Sequence, residues 1–153
     1  MKSQDCFICS RITQIKNGVN PYFVAELETG YVVIGDYQYY KGYSLFLCKR
    51  HVSELHHLEP NFRQKFLMEM SLVAQAVMEC FQPIKLNYEC LGNKDAHLHW
   101  HLYPRYIDDP CPNKPIWYIS KEIRCNQQTL AKPKELKEMT KRLRERIKAL
   151  LKG

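Results

Sequence analysis

Apolar and polar residues follow two different periods along this 153-residue chain, one typical of strands and one typical of helices. Runs rich in β-branched and aromatic residues predict five strands, at residues 22–26, 31–34, 43–49, 86–91 and 97–103. Between Pro60 and Pro83 apolar side chains instead recur at every third or fourth position, which predicts the main helix. The pattern therefore predicts an α+β fold in which five strands surround one long helix.

The last third of the chain has a different organisation. Prolines punctuate the stretch from about residue 106 to residue 132, which predicts a long loop. Beyond Pro133, apolar residues again fall on one face of a helix, at Leu136, Met139, Leu143, Ile147 and Leu150. We therefore expect one domain over residues 1–131, including the proline-rich loop, and a basic amphipathic helix over residues 132–153 that docks on the same domain.

Composition and charge narrow the choice of protein class. A hydrophobic fraction of 45% is enough to form a core, which excludes a disordered chain. The net charge is +7, but nine Lys and Arg against three Glu lie between Lys132 and Gly153, so the rest of the chain is nearly neutral. Because acidic residues interrupt this basic run, a solvated helix face is favoured over a nucleic-acid contact, which stays a second option.

The chain lacks an apolar run near the ~18 residues that a membrane span needs and begins without an apolar signal segment. We therefore expect a cytoplasmic protein that has no membrane partner. Seven cysteines, an odd number, do not indicate a disulfide framework in that compartment. Cys6 and Cys9 have the C-x-x-C spacing that lets two thiolates bind one zinc ion. A redox pair is the rival interpretation, but it would need a thioredoxin-like βαβ context that the pattern lacks.

Three histidines alternate with apolar residues in the last predicted strand, in the order His97-Leu98-His99-Trp100-His101-Leu102. Successive side chains of a strand point to opposite faces, so the three imidazoles are expected to share one face. Imidazole is both a common metal ligand and a nucleophile or acid–base group near neutral pH. The pattern thus indicates metal binding, catalysis, or both.

The segment His97-Leu98-His99-Trp100-His101-Leu102-Tyr103 resembles the signature of the histidine triad (HIT) family, His-φ-His-φ-His-φ-φ with φ apolar. The similarity continues in Pro104-Arg105 and in residues 42–52, which resemble the family's Gly-His-x-Leu-Val-x-x-Lys-x-His-Val strand. It covers about residues 6 to 105. The resemblance implies an α+β fold with a five-stranded antiparallel sheet and, as is usual in the family, a homodimer.

The zinc-containing, diadenosine polyphosphate hydrolase-like branch of the family implies a metal site. Matched position by position, its ligands would be Cys6, Cys9, His51 and His97. Two thiolates and two neutral imidazoles complete a tetrahedral zinc ion and leave no open position, which is the structural type of site. The resemblance therefore implies a Zn2+ cofactor that fastens the N-terminal segment to the sheet.

The same resemblance assigns the chemistry to the other two triad histidines. His99 would attack the α-phosphorus of a nucleotide substrate and form a covalent nucleotidyl-histidine intermediate, which water then hydrolyses. His101 would hydrogen-bond the phosphate oxygens or the leaving group. The implied enzyme is a nucleotide hydrolase or nucleotidyl transferase, of diadenosine tetraphosphate hydrolase or phosphoramidase type, with adenine the favoured base.

The chain departs from the family pattern around the substrate. The Gly-Gln-Ser/Thr stretch that usually precedes the triad is absent, and Asn93 and Lys94 are our candidate phosphate contacts in its place. Tyr43 replaces the histidine of the upstream Gly-His pair. Asp36 is the candidate ribose contact, and the apolar walls around the base are expected at Phe7, Ile8 and Ile34.

Three other hypotheses stay open at this point. Without the usual phosphate donors, the protein could be a non-catalytic nucleotide sensor or adaptor. It could also remove adenylate from nucleic-acid ends, with the basic terminal helix contacting phosphates. Finally, the three histidines could bind a catalytic metal ion themselves, because positions i and i+2 of a strand can chelate one ion.

Overall fold

In the computed structural model, which describes residues 6–153, five antiparallel strands form one sheet in the order β1-β2-β3-β5-β4. The strands are β1 (Phe23–Glu26), β2 (Gly30–Ile34), β3 (Ser44–Cys48), β4 (Lys85–Glu89) and β5 (His99–Arg105). The helices are α1 (Phe7–Lys16), α2 (Pro60–Phe81), α3 (Lys121–Arg124) and α4 (Pro133–Leu150). The α+β class and the five-stranded antiparallel sheet are therefore confirmed.

The larger core lies between one face of the sheet and helices α2 and α4. Phe46 of β3 stacks on Phe66 of α2 with ring centroids 4.9 Å apart, and both side chains are fully buried. Helix α2 ends where Gln82 takes a left-handed conformation (φ 51°), directly before Pro83. Leu143 and Ile147 of α4 are fully buried in the same core. The apolar stripe of the C-terminal helix thus belongs to the same core as the sheet and α2.

Arginines of α4 are anchored to the domain rather than free in solvent. Arg144 donates from Nε to the carbonyl of Val24 at 2.8 Å, and Arg142 donates to the carbonyl of Cys80 at 2.5 Å. Arg146 forms an ion pair with Glu79 of α2. A part of the basic charge in this helix therefore binds main-chain carbonyls and one carboxylate of the protein itself.

Helix α1 covers the opposite face of the sheet and was not predicted from the sequence. Its buried side chains Ile8, Ile12 and Ile15 pack against Tyr31 and Val33 of β2 and against β3. The sheet is consequently covered on both faces. The N-terminal segment lies on the same side as the triad histidines.

The structure corrects the boundaries around the triad. Strand β5 begins at His99 rather than His97, and residues 90–98 form a longer connection than the tight turn expected. The His97 amide donates to the Asp95 carbonyl at 2.7 Å, and the Leu98 amide donates to Val52 at 2.7 Å. These bonds bend the chain just before β5, so His97 lies outside the regular strand.

The proline-rich loop after β5 is anchored by one buried arginine. Arg105 is 2% exposed and donates to Asp109 at 2.7 Å and to the carbonyls of Lys114 and Cys111 at 2.7 and 2.8 Å. The loop contains two 3-10 turns and the single-turn helix α3. Over residues 6–153, none of the helices combines the length and the apolar character that crossing a bilayer requires.

Candidate functional site

The candidate site lies on the face of the sheet that α1 covers, along the neighbouring strands β3 and β5. Leu98, Trp100 and Leu102 pack into the core between the sheet and α2, so the alternating residues His99 and His101 face the other side. The three histidines of the triad lie in two different environments. The first joins a cluster of cysteines, and the other two line a cavity.

Four side chains converge where the N-terminus of α1 meets the ends of β3 and β5. His97 Nδ1 lies 3.6 Å from Cys6 Sγ, 3.4 Å from Cys9 Sγ and 3.2 Å from His51 Nδ1. Cys9 Sγ lies 3.3 Å from His51 Nδ1. All four ligand atoms lie within 4.8 Å of one another, and this is the one group of three or more such residues found in the described part of the chain.

These distances fit a tetrahedral zinc ion. Zn–N bonds of about 2.0–2.1 Å and Zn–S bonds of about 2.3 Å separate two nitrogens by about 3.3 Å, and a nitrogen from a sulfur by about 3.6 Å. The His97 ring donates from Nε2 to the Cys48 carbonyl at 2.8 Å, which leaves the Nδ1 lone pair directed at the cluster. Burial lowers the pKa of His97 and so favours the neutral ring that a metal requires. The four residues are a candidate Zn2+ site of the structural type.

The C-x-x-C spacing serves the start of α1 as well as the cluster. Cys6 is the N-cap of the helix, and its sulfur accepts a hydrogen bond from the Cys9 amide at 3.4 Å. One turn of helix therefore brings the second thiol beside the first. In the protein without metal, burial raises the pKa of the Cys9 thiol to about 11, and the neighbouring Cys6 adds to the effect.

The middle histidine is fixed by a main-chain hydrogen bond. His99 is 6% exposed, and its Nδ1 lies 2.6 Å from the carbonyl oxygen of His97. Because a carbonyl oxygen only accepts, Nδ1 carries the proton and the neutral ring keeps a lone pair on Nε2. That nitrogen is 2.9 Å from His101 Nε2. His97, whose side chain belongs to the group of Cys6, Cys9, His51 and His97, thus also orients His99 through its main-chain carbonyl.

The last histidine is neutral and enclosed by aromatic rings. Burial lowers the pKa of His101 to about 3, with a smaller contribution from the neighbouring His99. Its Nδ1 lies 2.6 Å from the hydroxyl of Tyr43, and its ring is stacked with those of Tyr43 and Tyr103. A neutral His101 can therefore both donate and accept a hydrogen bond.

A cavity of about 180 Å³ opens between α1 and the sheet beside these two histidines. Of the candidate substrate contacts, the structure brings Phe7, Ile8, Ile34 and Asp36 to this cavity. Its lining residues are Phe7, Ile8, Arg11, Val33, Ile34, Asp36, Tyr37, Tyr43, Leu45, Leu47, Asp95, His99 and His101. The arrangement combines a mostly apolar slot with the imidazoles of His99 and His101 in its lining.

Arg11 is a residue of this cavity that sequence reasoning missed. Its guanidinium forms an ion pair with Asp36 and lies over the rings of Phe7 and Tyr22, 4.9 and 5.2 Å from their centroids. The signal that would have found it is the helical spacing of Ile8, because a residue three positions later faces the same side of a helix. The ion pair holds the Asp36 carboxylate at the cavity.

The structure does not bring the other two candidate substrate contacts to the cavity. Asn93 and Lys94 are exposed in the connection between β4 and β5, and neither lines the cavity. Asp95 lines it instead. The bend before His97 turns Asp95 inwards, and the sequence carries no local signal for that bend.

Comparison with known proteins identifies the family. The HIT domain family model matches residues 22–108, more than half of the chain. This protein belongs to the HIT family. Among curated proteins, the protein Hit of Bacillus subtilis is 28% identical to this HIT protein over 71 residues, which are 43% of this chain and 49% of the relative. The match thus spans about half the length of that relative.

Solved structures of HIT proteins share the fold at low sequence identity. A histidine triad protein from Bradyrhizobium japonicum has a TM-score of 0.71 at 22% identity, covering 88% of this chain and 95% of its own. A zinc-bound histidine triad family protein from Mycobacterium smegmatis has a TM-score of 0.66 at 19% identity, covering 98% of each chain. The diadenosine triphosphate hydrolase of Plasmodium falciparum has a TM-score of 0.58 at 12% identity, covering 84% of this chain and 78% of its own.

Proposed function

We propose that this HIT protein is a nucleotide hydrolase or nucleotidyl transferase that acts through a covalent intermediate on His99. The observation that carries the proposal is the hydrogen bond from His99 Nδ1 to the His97 carbonyl, 2.6 Å long. It leaves an unprotonated Nε2 on a residue that lines the cavity of about 180 Å³. An unprotonated ring nitrogen is what attack on phosphorus requires.

The proposed reaction has two displacement steps. In the first, the His99 Nε2 lone pair forms a bond to the α-phosphorus, and the bond from that phosphorus to the leaving group breaks with its electron pair. The ring then carries one positive charge, which the His97 carbonyl stabilises through Nδ1–H. In the second step a water molecule displaces His99, loses a proton and releases the nucleoside monophosphate.

His101 supports the same chemistry from 2.9 Å away. In the free protein its Nε2–H faces the lone pair of His99. When that lone pair becomes a bond to phosphorus, the N–H is released to donate to a phosphate oxygen or to the leaving group. Such donors stabilise the charge that develops on the phosphoryl oxygens.

The cavity lining supports a nucleotide as the substrate class. Phe7 and Ile8 offer apolar surface for a base, and the Asp36 carboxylate, held by Arg11, offers acceptors for ribose hydroxyls. The likeness to a diadenosine triphosphate hydrolase supports a dinucleoside polyphosphate or an adenosine phosphoramidate as the substrate. The zinc-bound relative supports Zn2+ at Cys6, Cys9, His51 and His97, where it would hold α1 against the sheet.

The test is a panel of adenylylated and guanylylated substrates, covering dinucleoside polyphosphates and nucleoside phosphoramidates. We expect nucleoside monophosphate release by the wild type and a loss of about 10³-fold or more in kcat for His99→Ala, because the nucleophile is removed. His56→Ala, an exposed histidine outside the site, is the matched control and keeps full activity. Zinc content and thermal unfolding are measured for each variant to show that the fold is intact. Equal turnover by His99→Ala and the wild type contradicts the proposal.

One observation favours a second candidate function. Because Asn93 and Lys94 lie outside the cavity, the described residues offer few donors for a bound phosphate, as in a nucleotide sensor that does not catalyse. The same panel separates the two candidates. Saturable AMP binding by the wild type without cleavage of any phosphoanhydride or phosphoramidate supports the sensor.

A further inference from the structure

Tyr43 is held rigidly at the start of β3. The chain turns at Gly42, whose φ of 86° favours glycine, and Gly35 leaves room for the Tyr43 ring. A Cβ atom on Gly35 would lie 2.1 Å from Cδ1 of that ring. The Tyr43 main chain accepts a hydrogen bond from the Gly35 amide at 2.8 Å and donates to the Tyr40 carbonyl at 3.0 Å. The position of the phenol is therefore fixed by the backbone on two sides.

The ring of Tyr43 also packs against two side chains of β5. It lies parallel to Tyr103, with centroids 4.2 Å apart and planes 3° apart, and nearly parallel to His101, with planes 13° apart. Its hydroxyl ends 2.6 Å from His101 Nδ1. Burial raises the pKa of Tyr43 well above its ordinary value, so the hydroxyl keeps its proton.

Hydrogen bonds link the side chains of Tyr43, His101 and His99 in a row that ends at the His97 carbonyl. The direction of each bond follows from which of its two atoms carries the proton. His99 Nδ1 must donate, because it faces the His97 carbonyl. With its proton on Nδ1, the His99 ring accepts at Nε2, and His101 donates to it from Nε2. A neutral His101 that donates from Nε2 has its lone pair on Nδ1, which accepts from the Tyr43 hydroxyl. The row Tyr43, His101, His99 consequently has one consistent direction.

We propose that Tyr43 is a positioning residue for the reaction at His99, because its hydroxyl donates to His101 Nδ1 and so fixes the tautomer whose Nε2–H faces the nucleophile. The lone pair of His99 favours the proton on Nε2 of His101 from one side, and the Tyr43 hydroxyl favours it from the other. Once the hydroxyl is removed, only the first of these partners opposes a proton on Nδ1. In the Nδ1–H tautomer the two facing Nε2 atoms both carry lone pairs and repel each other. Nε2 of His101 then carries no proton that it could donate to the phosphate oxygens or the leaving group.

In the family pattern a histidine follows the upstream glycine, whereas this chain has Tyr43 after Gly42. Tyr43 is therefore the hydrogen-bond partner that this chain supplies for His101 Nδ1. A phenol of high pKa keeps one O–H that can donate to His101 Nδ1, whereas an imidazole at this position could face it with either a proton or a lone pair, or become charged. Tyr43 accordingly favours Nε2 as the donating nitrogen of a His101 ring that burial keeps neutral. The inference rests on the proposed function for its kinetic consequence alone, since the tautomer is a property of the free protein.

The test combines nuclear magnetic resonance of ¹⁵N-histidine-labelled protein with kinetics. In the wild type near pH 7, long-range ¹H–¹⁵N correlation is expected to show His101 protonated at Nε2 and unprotonated at Nδ1. Tyr43→Phe keeps the ring and its stacking but removes the donor. We expect it to populate the Nδ1–H tautomer and to lower kcat about fivefold to tenfold, the effect of one neutral hydrogen bond, with KM changed less than about twofold.

Tyr40→Phe is the matched control. Tyr40 is buried in the same aromatic cluster and packs edge-on against Tyr103, but its hydroxyl donates to the Ile116 carbonyl at 3.3 Å. The control is expected to leave both the His101 tautomer and kcat unchanged.

A proton on Nδ1 of His101 in the wild type overturns the proposal, and this result does not depend on the folding of any variant. An unchanged tautomer in folded Tyr43→Phe also overturns it. If the wild type cleaves none of the substrates, the proposed function fails and the tautomer measurement still decides the role of Tyr43.

Discussion

Each triad histidine has one ring nitrogen engaged with a fixed partner and the other directed at a site. His97 donates from Nε2 to the Cys48 carbonyl and presents Nδ1 to the cysteine cluster, whereas His99 donates from Nδ1 and presents Nε2 to the cavity. The alternation of residues in the sequence is sufficient to predict a shared face. It does not reveal which nitrogen is free, because the carbonyls that decide this depend on the bend before β5.

Glu89 is a buried carboxyl whose charge the described residues do not fully compensate. It lies opposite His101 in the β4–β5 register, it is 9% exposed, and its Oε2 has no hydrogen-bond partner within residues 6–153. Burial raises the pKa of Glu89, with Arg124 acting weakly in the opposite direction. A carboxyl in this environment destabilises the folded state once it is ionised.

The pH dependence of stability tests this assignment. Because the pKa is higher in the folded state, Glu89 makes no difference at a pH below its unfolded-state pKa and destabilises increasingly as the pH rises through both values. Glu89→Gln should therefore gain stability relative to the wild type between acidic and neutral pH, reaching on the order of 1 kcal/mol. Denaturant unfolding across this range measures the gain, with the exposed Glu138→Gln as the control. A difference in unfolding free energy between Glu89→Gln and the wild type that does not change with pH would contradict this assignment.

At the scale of elements, the strands and α2 follow from local periodicity, but α1 does not. Its segment contains the Cys6–Cys9 pair, whose spacing indicates a metal site. The helix has a single apolar stripe of three residues, Ile8, Ile12 and Ile15, which is a weak periodic signal. Without the helix, no argument from sequence places Arg11 at the cavity. Local patterns thus predicted the sheet, while the residues that the first helix brings to the site required the three-dimensional structure.

Helix α1 is fastened at its N-terminus by the cysteine cluster, and it forms one wall of the cavity. Removal of zinc with a chelator is therefore expected to speed backbone hydrogen exchange in α1, to leave α2 unchanged and to lower Tm by several degrees. AMP affinity falls together with this protection, because Phe7 and Ile8 lose their fixed positions.

Matched cysteine variants separate the cluster from the other thiols. Cys9→Ser is expected to lose bound zinc and to reproduce the exchange pattern of the chelated protein. Cys125→Ser, at a cysteine outside the cluster, keeps both the zinc and the protection. Full zinc content in Cys9→Ser, or unchanged exchange in α1 after chelation, contradicts the assignment of the site.

For the molecule as a whole, the two faces of the sheet carry different features. One face holds the core formed with α2 and α4, and the other carries the cluster, the cavity and the triad. The net charge of +7 resides mostly in the terminal helix, where Arg142, Arg144 and Arg146 bind carbonyls and a carboxylate of the domain. Counting charges in the sequence cannot reveal such contacts, because they join residues more than 60 positions apart. The charge is therefore weak support for a nucleic-acid partner.

The central claim is that His99 becomes covalently attached to the nucleotide during turnover. It is tested most directly by stopping the reaction at alkaline pH, where a phosphorus–imidazole bond survives, and mapping the adduct by mass spectrometry. Cleavage after Lys94 and Arg105 yields one peptide, Asp95–Arg105, that contains all three triad histidines, and fragmentation distinguishes them. The account predicts a nucleotidyl group on His99 alone. Turnover with no adduct, or an adduct on His101 or His97, would contradict it.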